Sequence, residues 1–319
     1  YSNQWKNAAD LSNKGFEADL NVNVIKKKDL VVNVYGNFGM NRNMVESLSG
    51  AAPIFLQGFT GTSSRAVEGQ AMGAFWGGKW ARDNDGKLLL DANGFPQAAS
   101  EEGVLGDPNP DWRGSIGLNG NFKRLSFNVL VEACQGNQMW AGTYGILKNF
   151  GIAPETANEF TVTADEAQNI VDYRGVSIAA AAANPAAGNG LVMTNADGTI
   201  TCRGNIEDYG NGKVWLNQYW YTGLGGGFGS VSEQFIQDAS WVRLRELTMN
   251  YALPEGVANA LHVPGGITVG FTGRNLALWT KFPGVDPETN LTGVTNGRGL
   301  DYFNNPGTKS FMFNIKFNL

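Results

Sequence analysis

Aromatic rings are the side chains through which this chain of 319 residues could recognise something. Trp76, Trp80, Trp140, Trp215, Tyr219 and Trp220, with Tyr221 beside them, fall in segments that lack strand or helix periodicity. Their flat faces could stack on sugar rings or pack against a peptide; equally, they could hold the segments together. A second constellation is charged. Arg243, Arg245 and Glu246 sit inside a strand-like run, and Arg274 and Asn275 inside another. Charge within a strand is costly against lipid and cheap against a water-filled lumen, so these residues read as an ion-pair network on a polar wall. Asp286-Pro287-Glu288 reads as a turn that stiffens its loop.

Enzyme chemistry finds little support. The one histidine, His262, lies in the Pro254–Pro264 connection, where it cannot join a multi-histidine metal site or serve a nucleophile elbow, which is absent. Gly223 to Gly229 is glycine-rich but lacks the Lys-Ser/Thr of a phosphate-binding loop, and it reads as a flexible loop. Asp83-Asn84-Asp85-Gly86 has the look of part of a calcium loop. However, Ala81 and Ala92 occupy the first and last ligand positions, so a hairpin turn is expected. Ala179 to Ala187 reads as a low-complexity surface loop. Cys134 and Cys202 could form one disulfide or remain two isolated thiols. The expectation is no catalysis, no cofactor and no metal.

The elements that must carry these residues are strands of period two. The terminal run places Phe311, Phe313, Ile315, Phe317 and Leu319 on one side and Ser310, Met312, Asn314, Lys316 and Asn318 on the other. Gly15–Ile25 and Leu30–Met40 alternate in the same way about a tight Lys26–Asp29 turn. Trp112–Phe122 and Leu125–Ala133 do so about Lys123-Arg124. A third pair runs from Ala239 to about Leu253 and from Ile267 to about Trp279. Its first member changes face between Val242, Leu244 and Leu247, which predicts a bulge. Each run is about 10–12 residues, the length of a tilted membrane strand.

Between the pairs lie three long irregular stretches, 41–110, 136–238 and 281–308, with further strands conceivable around 66–80 and 213–221. Short turns at one end and long loops at the other are the asymmetry of an outer-membrane barrel, all-β and antiparallel. Seven strands is an odd number. A single-chain barrel has an even count, so the parity would place Tyr1 on the outer side, as if strands preceded it. Tyr1 to Trp5 shows no signal peptide. Trp112, Trp241, Tyr251 and Trp279 near strand ends read as interfacial girdle residues.

Composition agrees. Charged residues are 17%, aromatics 11%, and there are 43 glycines, with no apolar run long enough for a membrane helix. A net charge of −5 without a basic patch argues against nucleic acid. Outer-membrane lipid is the expected surrounding.

Several segments, in order, then resemble the C-terminal part of the SusC/RagA family of TonB-linked outer-membrane transporters of Bacteroidota. They are Ser12-Asn13-Lys14-Gly15-Phe16-Glu17, Val67 to Gly77, Gly106-Asp107-Pro108-Asn109-Pro110-Asp111-Trp112, Trp241 to Leu247 with Tyr251 to Pro254, and Gly273 to Lys281 with Gly284 to Glu288. The resemblance covers nearly the whole chain. It implies a barrel of about 22 strands, an N-terminal plug, a TonB-contacting segment and a SusD-like surface lipoprotein as lid. Residues 1–319 would be the C-terminal barrel portion, with plug and TonB-contacting segment outside them. The implied function is active uptake of glycans or oligopeptides across the cell outer membrane. A surface glycan-binding adhesin and a passive porin are the other readings.

Overall fold

The structure, a computed structural model, describes residues 9–59, 61–188, 190–293 and 295–318. Expectations resting on Tyr1–Trp5 and on Leu319 lie outside the described residues. Seven long strands form one antiparallel sheet in chain order: β1 Asp10–Lys27, β2 Leu30–Ser47, β3 Trp112–Phe122, β4 Leu125–Gln135, β5 Trp241–Ala252, β6 Ile267–Thr280 and β7 Ser310–Phe317. These are the expected strands in the expected order. β1 and β2 run to 18 residues each. The excess sits at the long-loop end, where Ser12, Asn13 and Lys14 pair with Met44, Asn43 and Arg42. A polar ladder beyond the lipid needs no apolar face, so apolar alternation gave no sign of it.

Register turns the alternation into two faces. One row runs Val22, Val34, Leu118, Val129, Leu247, Gly273 and Phe311 across all seven strands. Its neighbours hold Ile116, Val131 and Leu244 on one side and Phe127, Met249, Phe271 and Phe313 on the other. This belt faces outward: Phe313 is 79% exposed and Ile116 60%. A contiguous apolar surface of this extent is disfavoured in water and matches the lipid-facing side of a barrel. The opposite face carries an amide and hydroxyl row: Asn23, Asn33, Asn119, Asn128, Thr248 and Thr272. No helix among the described residues is long and apolar enough to cross a membrane.

The predicted bulge is present. Both ladders of β5 shift register between Leu244 and Glu246, leaving Arg245 as the extra residue. It explains why Leu244 and Leu247 share a face across an even count of intervening positions.

Short connections gather at one end and long ones at the other. Lys28-Asp29 and Lys123-Arg124 close two hairpins, and 253–266, with a short helix Glu255–Ala260, closes the third. His262 sits exposed in that connection, at φ 58. The long segments are folded, which corrects their reading as irregular. The first makes a four-stranded sheet of Ile54–Phe59, Thr62–Ala66, Ala74–Gly77 and Gly103–Gly106. The second makes two small three-stranded sheets. The third lends Leu300–Asp301 to a sheet with Gln138–Ala141 and Ile236–Asp238. Ala74–Gly77 and Lys213–Leu216 are strands where hidden ones were conceivable, but they belong to these outer sheets and not to the wall.

Two further readings change. Ile178–Ala183 is a helix capped by Ser177, with Ile178 and Ala181 fully buried among Val162, Ile170 and Trp215. Alanine repetition here supplies a thin helix that packs closely, not a bare loop. Gly223–Gly229 is tightly packed and not a loose loop. A Cβ on Gly226 would lie 1.8 Å from the Tyr221 carbonyl, and one on Gly227 2.6 Å from Gly145. Gly226→Ala is therefore expected to destabilise the outer segment by about 1–3 kcal/mol, as overpacking does. Protease cleavage near 218–229 on intact cells should rise while the wall stays resistant; unchanged cleavage would contradict the packing.

Candidate functional site

Above the lumen face, the third long segment folds back onto the wall through an ion-pair latch. β5 alternation points Arg243 inward, and its guanidinium lies 2.7 Å from both Asp286 and Glu288. The side chains of Arg243 and Asp286 are only 5% and 6% exposed. Arg245, at the bulge, donates to Glu132 on β4 (2.6 Å), to Glu288 (2.7 Å) and to Asn275 (2.9 Å). Asp286 also accepts from the Glu288 backbone N–H at 3.0 Å. The arginines thus form the expected ion-pair network, and Asp286 and Glu288, read from the sequence only as a loop-stiffening turn, prove to be its carboxylates. Trp241 lies beneath, with both guanidiniums within 6 Å of its ring.

That placement corrects one girdle assignment. Trp241 is 3% exposed and lumen-side, because it pairs directly with Cys134, on the same face as Glu132. Trp279 and Tyr251 are exposed, and Trp112 stacks on Phe38 at 5.8 Å, all on the apolar face. Deeper in the wall, Tyr35 donates to Asn128, Asn128 to Glu246, and Arg274 pairs with Glu246 at 3.2 Å.

The outer aromatics divide. Trp140 stacks on Tyr302 beside Phe75 and Phe235; Trp215 is fully buried; Trp220 packs with Phe95 and Tyr173. These three hold the outer segments together, and their rings are not open to a ligand. Tyr221 is buried too and accepts from Asn205. Three are only half-buried. Trp76 donates to Glu102 and has Arg65 over its ring at 5.0 Å. Trp80 stacks on Trp220 at 6.1 Å. Tyr219 has Arg174 over it at 3.4 Å.

Asp83 forms the expected hairpin turn: its carboxylate accepts from the N–H groups of Asp85 and Lys87. The turn recurs at Asp91, which accepts from Asn93 and Phe95. Both cysteines are free and buried, in different parts of the chain. Burial pushes the Cys202 thiol up to about 12, so it stays a protonated core group.

Two adjoining cavities open at the lumen mouth. One, of about 420 Å³, lies between the Pro108-Asn109-Pro110 turn, the wall at Arg113 and Cys134, and the latch segment at Glu288, Asn290 and Arg298. The other, of about 240 Å³, shares Pro108 and Arg298 and adds Asn41, Asn43 and Asn296. Arg113 and Arg298 carry no family motif and escaped attention in the sequence. Arg113 had one signal, its place on the polar side of β3; Arg298 had none. A third cavity, of about 380 Å³, lies in the second outer segment near Lys148, Arg203 and Tyr221.

No family model matches the chain. It is 24% identical over 351 residues to TonB-dependent receptor P3 of Formosa agariphila, across 99% of this chain and 30% of that protein. TonB-dependent receptor P26 of the same organism is 23% identical over 352 residues, with the same shares. Among solved structures, the RagAB peptide importer in its closed-closed state superposes with TM-score 0.55 at 20% identity, over 98% of this chain and 30% of that one. The RagAB peptide transporter gives TM-score 0.56 at 18% identity, with the same coverage. The chain spans about 30% of the length of the curated relatives it matches.

Proposed function

We propose that this chain, a stretch of outer-membrane TonB-dependent-receptor barrel resembling the SusC/RagA kind, supplies wall and outer loops to an active importer of glycans or oligopeptides. The resemblance extends the reading to a SusD-like lipoprotein over the outer face and to TonB coupling through a plug beyond these residues. One observation carries it: a single seven-stranded wall has a lipid-ready belt on one face, and on the other a polar lumen latched to folded outer segments. The outer segments are too well packed to be passive fringe, and the half-buried Trp76, Trp80 and Tyr219 are the rings through which they would meet an incoming oligomer. The role is non-enzymatic: recognition and passage, with no bond made or broken.

Energy coupling separates import from adhesion and from passive diffusion. A protonophore is expected to abolish accumulation of the oligomer in cells carrying the native protein while leaving surface binding intact. Accumulation that survives the protonophore would support a passive porin, and binding with no accumulation at all would support an adhesin.

A further inference from the structure

The cavity of about 420 Å³ at the lumen mouth is locally basic in a chain of net charge −5. Most arginines here are matched: Arg42 to Asp111, Arg65 to Glu102, Arg82 to Glu233, Arg174 to Asp172, Arg274 to Glu246, and the latch pair to its carboxylates. Among the described residues Arg113, Arg298, Arg124 and Arg203 have no carboxylate partner. Arg124 lies in a hairpin turn at the far end of the wall, and Arg203 borders the third cavity. Arg113 and Arg298 border the same cavity, one from the wall and one from the latch segment, and both are exposed. Arg113 spends its Nε–H on the Cys134 sulfur at 3.4 Å, which orients the guanidinium and leaves both terminal nitrogens for a ligand. Among the described residues Glu288 is the one carboxylate lining the space, and it is already held by Arg243 and Arg245.

The remaining lining mixes Pro108, Pro110, Pro287 and Met139 with glycines and Cys134, and its uncharged hydrogen-bonding side chains besides that thiol are amides. Asn137 and Asn290 border this cavity, and Asn41 and Asn296 border its neighbour across the shared Arg298. Amides donate and accept at once, as sugar hydroxyls do. A peptide main chain would be read along a free strand edge. Among the described residues, the three that line this cavity from strands, Arg113, Cys134 and Met139, all stand on strands with a neighbour on each side.

We propose that this cavity is a subsite for an acidic sugar unit, its carboxylate gripped by Arg113 and Arg298 and its hydroxyls by the flanking asparagines. Bidentate guanidinium contacts would fix the carboxylate plane, which a lysine could not do. The inference rests on the import reading and names its substrate class.

The test is calorimetric titration of the detergent-purified native protein carrying this chain with three probes: a galacturonate tetramer, a neutral galactose tetramer and tetraglutamate. The galacturonate tetramer is expected to bind at least about tenfold more tightly than the neutral one. Arg113→Gln and Arg298→Gln should each weaken it by about tenfold, with the neutral sugar and the Arg124→Gln control unchanged. Both side chains are exposed, so folding should survive, and an unchanged melting temperature checks it. Equal binding of acidic and neutral sugars, no binding, or full affinity in the double variant would overturn the clamp. A preference for tetraglutamate would overturn the sugar assignment. Because the titration needs no proton gradient, failure of the clamp and failure of energised import are read in separate experiments.

Discussion

Arg243→Ala is expected to lower the stability of the protein by about 3–5 kcal/mol, the cost of orphaning a buried charge. The variant leaves Asp286, whose side chain is 6% exposed, without its guanidinium and takes one of two from Glu288. The 281–308 segment, latched there, should become the first part cut by protease. Thermal unfolding in detergent, followed by the gel-mobility change of unheated barrel, gives the magnitude. Arg243→Met with Asp286→Leu should recover most of the loss, since an apolar pair of similar volume can replace a buried ion pair. Arg274→Ala provides the contrast. Its partner Glu246 is 26% exposed and the arginine side chain 60%, so water screens the pair and the cost should stay within about 1 kcal/mol. Equal losses at Arg243 and Arg274 would mean that the latch does not hold the segment.

The wall was legible because membrane strands obey one strict rule. Phe311 to Phe317 and Trp112 to Phe122 must alternate, and a single slip would put amides into lipid. The bulge at Arg245 was legible for the same reason, as a break in that rule. The latch was half legible: charge inside a strand demanded a polar neighbour, but that Asp286 and Glu288 supply it depends on a loop returning over 43 residues. The outer segments resisted reading because their strands are two to six residues long, below any clear period. Their aromatics looked alike in sequence. Only burial separates Trp215, in a core, from Trp76, which is half-buried. The candidate clamp was the least legible, since Arg113 and Arg298 lie far apart in the chain and meet across one cavity.

Leu118→Lys is expected to cost about 2–4 kcal/mol and its chain neighbour Asn119→Lys close to nothing. Leu118 sits between Val34 and Val129 in the apolar row, while Asn119 sits between Asn33 and Asn128 in the amide row. The two substitutions differ by one residue and add the same charge, so backbone propensity cancels and only the face remains. Guanidinium unfolding in lipid vesicles, followed by tryptophan emission, measures both. A protein core on the apolar side would also reject lysine, so the contrast alone does not identify lipid. Depth does. Phe122→Lys, on the same face but at the hairpin end of β3, should cost only about 0–1 kcal/mol, because a lysine there reaches the headgroups. A packed core has no such gradient toward the strand end. Costs that stay level from Leu118 to Phe122 would therefore replace lipid by protein as the partner of this face, and the barrel reading would fall with it.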